Sequence, residues 1–183
     1  MKRYLQVILI ILFASFITKS FAQDKRKFEL PVLVSSAGQS ADVKLAGLLF
    51  KRLKIEAKTV NMAKAEDLKG VKTLVVVPGF SSKGLGAAGI SADDEMQRVK
   101  SLMAEAKKMK IPVVMLHIGG KARRKGQSDN FIKAVSEITK YMIVVKQGNE
   151  DNFFTDMSKK LNVPLVLVDK IPDAEGPLGQ LFK

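Results

Sequence analysis

The feature that most constrains the fold is a regular alternation of short apolar runs with longer segments of helical periodicity. Six apolar runs lie at 30–34, 55–60, 73–77, 111–116, 142–145 and 164–168. Strands that alternate with helices are typical of a parallel sheet covered by helices on both faces. The sequence therefore predicts an α/β fold, doubly wound around a mostly parallel sheet of five to six strands.

The weakest of these predicted strands indicates the order of the sheet. The run at 55–60 contains few apolar residues, which favours an edge position, whereas the Val-rich run at 73–77 is typical of a strand buried on both faces. With the strands numbered along the chain, this favours the flavodoxin-like order 2-1-3-4-5, with the sixth strand beyond the fifth. A dinucleotide-binding order is the alternative. The tail at 169–183 is rich in Pro and Gly and is predicted to be irregular.

The N-terminus has the layout of a secretory signal peptide. A basic start precedes an apolar run at 5–17, and the small residues Ser20 and Ala22 stand three and one positions before the predicted cut. An uncleaved anchor is the alternative, but the run is shorter than the roughly 20 residues that span a bilayer. We predict a signal peptide at 1–22, a single α/β domain at 23–183, and export to the periplasm or the extracellular space. No transmembrane segment is expected after cleavage.

The charge of the predicted mature domain narrows its partners. The chain has 31 basic and 18 acidic residues, and removing the three basic residues of the signal peptide lowers its net charge from +13 to +10. Such a surface favours a small anionic ligand or an acidic surface. Aromatic residues do not interleave with the basic ones, which argues against nucleic acid. With no Cys and one His, we predict no disulfide, no metal site and no cofactor, and the oligomeric state stays open.

Several segments together resemble one family. They lie at 35–44, 67–73, 81–90 and 117–124, and read SSAGQSADVK, DLKGVKT, SSKGLGAAGI and HIGGKARR. They are similar to a family of exported bacterial proteins that is described only as a domain of unknown function. The resemblance implies export and a single domain, and it carries over no catalytic residue.

Three predicted loops carry the candidate site. In an open parallel sheet, ligands bind at the carboxyl ends of the strands where the strand order reverses, here between the first and third strands with the loop after the fourth alongside. Hydroxyls, free amide groups, a helix N-terminus capped by Ser40 and several cations should meet there, as in an anion site. The segment 80–89 is expected to be a long flexible loop that could close as a lid. The predicted ligand-binding residues are Ser36, Gly38, Gln39, Ser40, Ser81, Ser82, Lys83, Gly84, His117, Arg123 and Arg124.

These loops favour a non-catalytic binding module for a small anionic or polar ligand, although Ser and Gly are also ordinary turn residues. One alternative is an exported enzyme, either a serine hydrolase that uses Ser81 and His117 or a flavin-dependent protein with Phe80 as its stacking platform. Another is a basic interaction protein that docks on an acidic surface. The glycines at 84–89 match the letters of a dinucleotide fingerprint, but they do not stand in a tight strand-to-helix turn.

Overall fold

Among the residues that the structure describes, the sheet has six strands, all parallel. The computed structural model describes residues 28–183, so the predicted signal peptide at 1–22 lies outside the described residues. The sheet order is β2-β1-β3-β4-β5-β6. The predicted fold class and strand order are therefore confirmed. The strands are β1 (Val32–Ala37), β2 (Ala57–Thr59), β3 (Thr73–Pro78), β4 (Val113–His117), β5 (Thr139–Val145) and β6 (Leu165–Val168).

Helices cover both faces of the sheet. They are α1 (Asp42–Arg52), α2 (Ser82–Ala88), α3 (Ala92–Lys108), α4 (Gly126–Ser136), α5 (Phe153–Leu161) and α6 (Glu175–Phe182). The apolar sides of α1 and α6 pack on one face, and those of α3, α4 and α5 pack on the other. Side chains of β3 alternate between the two cores, with Val75 and Val77 in the first and Leu74 and Val76 in the second.

Two segments that were predicted to be irregular are helical. The prediction for the tail at 169–183 is wrong, because the segment forms a 3₁₀ turn, Ile171–Ala174, followed by α6. Pro177 stands in the first turn of α6, where backbone N–H groups have no intrahelical acceptor, so proline is tolerated there. Leu178, Leu181 and Phe182 are buried against the sheet, and this packing stabilises the helix.

The prediction of a flexible loop at 80–89 is also wrong, because most of this segment forms α2. Ser81 caps the helix by accepting a hydrogen bond from the Gly84 N–H at 3.1 Å, and Gly89 ends it in the left-handed conformation with φ +67°. Leu85 is buried and holds the helix on the domain. The segment is therefore a fixed wall of the molecule, and the lid hypothesis has no basis.

The helix starts differ in how far they were predictable. At α3, Ser91 and Asp94 form a capping box, which the sequence pattern of a serine three residues before a carboxylate predicts. At α1, Ala41 holds the N-cap position, and Ser40 accepts a hydrogen bond only from the Asp42 N–H, at 3.2 Å. Ser40 is therefore not the predicted cap. No helix within residues 28–183 is long and apolar enough to cross a membrane.

Candidate functional site

The crevice that was expected between β1 and β3 is closed by hydrogen bonds between the two following loops. The Ser40 N–H donates to the Gly79 carbonyl at 3.1 Å, and the Ser81 N–H donates to the Gly38 carbonyl at 2.8 Å. A short antiparallel bridge joins Gln39 to Phe80. The two loops thus form one continuous rim, and the open space lies beside that rim rather than within it.

That open space is a cleft between α1, α2 and the segment after β2. Its volume is about 640 Å³, large enough for a small organic molecule. Its lining residues are Gln39, Ser40, Ala41, Val43, Lys44, Asn61, Met62, Ser81, Lys83, Gly84, Ala87, Ala88 and Arg123.

The two predicted loop glycines allow close packing of the rim. Gly38 has φ +100°, and a Cβ atom there would lie 2.7 Å from the Gly79 carbonyl oxygen. A Cβ atom on Gly84 would lie 2.0 Å from the Gln39 carbonyl oxygen, so only glycine lets α2 approach this loop. Gly38 therefore shapes the rim from behind, and Gly84 lines the cleft as part of the backbone contact.

Gln39 is the most unusual residue of the cleft. Its backbone is left-handed, with φ +60°, and the residue is only 3% exposed. Its side-chain Oε1 accepts a hydrogen bond from Asn61 Nδ2 at 2.7 Å, but its Nε2 has no hydrogen-bond partner among residues 28–183. Within the described part of the chain, only one other buried side-chain atom, Asp42 Oδ2, lacks such a partner. Buried amide donors are nearly always satisfied, so this one needs an explanation.

Three cations line the same cleft. Lys44 and Lys83 are exposed and have no ion-pair partner within residues 28–183. Arg123 donates to the Phe80 carbonyl at 3.1 Å, and its Nε lies 3.7 Å from Asp42 Oδ2. Asp42 stands in the first turn of α1, so a carboxylate already faces the positive end of this helix. The cleft therefore attracts anions through its side chains, and the predicted contribution of the helix dipole is wrong.

Arg124 lies away from the cleft, although it follows Arg123 in the chain. Its guanidinium donates to Asp129, Asp151 and the Gly148 carbonyl, and it stacks over the Phe153 ring at 4.0 Å from the ring centroid. Its side chain is only 4% exposed. Arg124 thus joins α4 to the start of α5 and is not available to a ligand in the cleft.

His117 is also placed elsewhere, fully buried at the end of β4. Its Nδ1 lies 3.1 Å from the Pro78 carbonyl oxygen and its Nε2 lies 3.3 Å from that of Gly120. Burial lowers the pKa of the imidazole, so the neutral form dominates at neutral pH. Because a neutral imidazole has one N–H, His117 donates a hydrogen bond to one of these two carbonyls and helps to fix the sheet edge.

Ser36 and Ser82 do not line the cleft either. Ser36 is buried, and its hydroxyl donates to the Asn61 carbonyl at 2.8 Å, which ties β1 to the segment after β2. Ser82 is exposed in the first turn of α2 and does not line the cleft. The structure therefore brings together six of the predicted residues: Gln39, Ser40, Ser81, Lys83, Gly84 and Arg123.

The sequence reasoning missed seven of the described residues that line the cleft: Ala41, Val43, Lys44, Asn61, Met62, Ala87 and Ala88. Asn61 and Met62 follow β2, which is the neighbour of β1 in the sheet. The predicted strand order already placed the end of β2 beside the first loop, and this was the available signal. Lys44 was obscured because it lies inside a helix rather than in a loop.

A buried ion pair behind the rim was also missed. Glu95 on α3 is fully buried and accepts hydrogen bonds from the Gly38 N–H at 2.9 Å and from Arg98 at 2.7 and 2.8 Å. Arg98 also donates to the carbonyls of Ser36 and Ala63. The pair holds the first loop from the side opposite the cleft. Its sequence signal, acid and base three residues apart on a helix, is also typical of exposed helix faces.

These features define a class: an open, doubly wound parallel sheet with a cationic cleft at its carboxyl edge. A family model matches residues 29–182, so the chain belongs to the family described as a domain of unknown function (DUF6305). The resemblance drawn from the sequence is thereby confirmed. No curated protein shows a significant match.

Some solved structures of hydrolases share a weak likeness with this chain. A GDSL-like lipase from Bacteroides thetaiotaomicron is 13% identical, with 79% of this chain and 69% of that chain covered and a TM-score of 0.36. AlinE4, an SGNH-hydrolase family esterase, is 14% identical, with 76% and 75% covered and a TM-score of 0.29. The psychrotrophic esterase EstA from Pseudoalteromonas sp. is 10% identical, with 75% and 76% covered and a TM-score of 0.32. At these values the likeness carries no argument about the activity of this chain.

Proposed function

We propose that this protein is an exported, non-catalytic module that binds a small anion in the cleft. The observation that carries the proposal is that Gln39, whose buried Nε2 has no hydrogen-bond partner among the described residues, lines a cleft together with Lys44, Lys83 and Arg123. An unsatisfied buried donor costs about 1–3 kcal/mol, and an anionic oxygen that accepts its hydrogen bond removes that cost. Export rests on the signal-peptide layout of the first 22 residues.

The contacts of the two candidate catalytic residues favour binding over hydrolysis. Ser81 uses its hydroxyl oxygen to cap α2, and both ring nitrogens of His117 face backbone carbonyls instead of Ser81. Because His117 is the one histidine of the chain, no other imidazole can activate Ser81. A group of three acidic or histidine side chains that could hold a metal ion is absent from residues 28–183.

A flavin is disfavoured by the position of Phe80. Its ring is stacked on Phe131, with the centroids 6.3 Å apart, and it packs against the core under α3 and α4. None of the described residues that line the cleft is aromatic, so an isoalloxazine ring would have no aromatic side chain among them to stack on.

Calorimetric titration with inorganic phosphate and with propanoate tests the proposal. Lys83→Ala should weaken binding about tenfold or more, since a charge-assisted hydrogen bond contributes about 1.5–3 kcal/mol. Lys133→Ala is the matched control, because Lys133 is exposed on α4 away from the cleft and has no ion-pair partner among the described residues. Lys108 is also an exposed lysine away from the cleft, but it is a less suitable control because its substitution would break an ion pair with Glu105.

Two results would count against the proposal. If Lys83→Ala and Lys133→Ala weaken binding equally, the positive charge acts only as a diffuse field, and docking on an acidic surface becomes the better explanation. If neither anion binds the unaltered protein, the cleft is not an anion site. Mass spectrometry tests export separately, because the mature protein should begin at Gln23.

A further inference from the structure

The chemistry of α2 changes along its length where it borders the cleft. Ser81 and Lys83 stand at its start, whereas Ala87 and Ala88 present only methyl groups at its end. A helix rises about 1.5 Å per residue, so Gly84 and Ala88 are about 6 Å apart along the axis. The cleft therefore has a polar part and an apolar part on this wall.

The surrounding contacts fix which part is which. Arg123 donates to the carbonyl of Phe80, the residue before Ser81, so its guanidinium lies at the start of α2. A Cβ atom built on Gly84 would overlap the Gln39 carbonyl oxygen, so the first turn of α2 lies against the backbone of Gln39, whose side-chain amide reaches Asn61. Ala87 and Ala88 lie one helical turn further along the same wall of the cleft.

We infer that the ligand is an amphiphilic organic anion, with an anionic head at Gln39, Lys83 and Arg123 and a short aliphatic body against Ala87 and Ala88. This inference rests on the proposed function and adds the class of ligand to it. A bare inorganic ion would satisfy the polar end of the cleft but would leave the apolar end without a partner. A short alkyl chain on the anion removes that apolar surface from water.

A series of linear monocarboxylates tests the inference by calorimetric titration of the purified protein. From acetate to butanoate to hexanoate, affinity should rise roughly fourfold for each methylene group that is buried. Butyl phosphate should likewise bind more tightly than inorganic phosphate. The same gain in both series is expected whether the natural head group is a carboxylate or a phosphate, and the tighter series identifies the head.

Ala88→Leu probes the apolar end directly. The larger side chain should fill this end and weaken hexanoate binding about tenfold or more, a much larger loss than for acetate. Ala104→Leu is the control, because Ala104 is exposed on α3 and does not line the cleft. Unchanged thermal unfolding of both variants verifies that each one folds.

The failure of this inference can be told apart from the failure of the proposed function. If phosphate and acetate bind in a Lys83-dependent way but hexanoate binds no more tightly than acetate, the amphiphilic ligand is excluded and the anion site stands. An unaltered affinity of Ala88→Leu for hexanoate would overturn the inference in the same way. If none of these anions binds, the proposed function itself fails.

Discussion

The loop after β1 separates two polar regions that differ in how completely their hydrogen bonds are satisfied. Behind the loop, Glu95 and Arg98 are buried together, and their bonds reach both each other and the backbone of Ser36 and Gly38. In front of it, the buried Nε2 of Gln39 has no partner in the described part of the chain, and Lys44 and Lys83 of the same cleft have no ion-pair partner there. A saturated network stabilises the fold, whereas an unsaturated one is suited to receive a ligand.

The same contrast separates the neighbours Arg123 and Arg124. Arg124 contacts two carboxylates, a carbonyl and an aromatic ring, and its side chain is buried. Arg123 makes one hydrogen bond to a carbonyl and a longer ion pair with Asp42, and its side chain is 30% exposed at the cleft. Two adjacent residues of one type thus have different roles because one of them is fully paired.

The largest effect should follow from breaking the saturated pair. Arg98→Met leaves the Glu95 carboxylate buried with one backbone donor, so we expect the free energy of unfolding to fall by about 3–5 kcal/mol. Urea denaturation measures this loss. Lys108→Met, which breaks the exposed pair with Glu105, should cost less than about 1 kcal/mol. A similar cost for the two variants would show that the buried pair does not support the loop.

A smaller effect should distinguish the two arginines. Arg124→Ala should lower stability by about 1.5–3 kcal/mol through its lost charge-assisted bonds and stacking, and leave anion binding unchanged. Arg123→Ala should do the reverse, with a roughly tenfold loss of anion affinity and little change in stability. Thermal unfolding and calorimetric titration of both variants make the comparison. A loss of anion binding in Arg124→Ala would contradict the assignment.

The buried imidazole of His117 predicts that the stability of the fold depends on pH. Because burial lowers the pKa of His117 in the folded state, the unfolded chain binds the extra proton first as the pH falls below about 6.5. Stability should therefore decrease on acidification, by at most about 1.4 kcal/mol per pH unit. Hydrogen bonds from Arg124 and Lys125 hold the pKa of Asp151 well below its usual range. The stability that this carboxylate contributes is therefore lost only below the usual pKa of an aspartate, outside the range in which His117 titrates.

His117→Gln is the test of that assignment. It removes the only histidine of the chain, so the slope between pH 6.5 and 5 should flatten in urea denaturation series. A slope that persists in the variant would assign the pH dependence to another group.

The smallest change in stability is expected at Gln39. Gln39→Met removes one hydrogen bond with Asn61 but also removes an unsatisfied donor, so the two contributions should offset each other to within about 1 kcal/mol. Anion affinity should nevertheless fall about tenfold. A loss of more than about 3 kcal/mol on thermal unfolding would mean that the amide is structural and satisfied.

The fold could be predicted from the sequence because strands and helices leave regular patterns of apolar and polar residues along the chain. Unbroken Val-rich strands, a weak second strand and the Ser91 capping box each follow from local patterns, and they led to the observed sheet order. The helix at 82–88 was missed because its Gly residues are poor helix formers, and its position depends on the contact of Gly84 with the loop after β1.

The site was only partly predictable because it depends on pairing. Charge and loop position identified Lys83 and Arg123, but no local pattern distinguishes Arg123 from Arg124. That distinction comes from Asp151 and Phe153, which are distant in the chain and adjacent in the fold. Likewise, the absence of a partner for Gln39 is a property of the three-dimensional surroundings alone.

The central claim, that the unsatisfied cleft receives the anion, is tested most directly by nuclear magnetic resonance. Titration of the ¹⁵N-labelled protein with hexanoate should shift the side-chain amide resonances of Gln39 together with the backbone signals of Lys83 and Gly84. The signals of Arg124 and Asp151 should stay in place. Shifts centred on Arg124, or small shifts scattered over all exposed lysines with none at the Gln39 amide, would contradict the account.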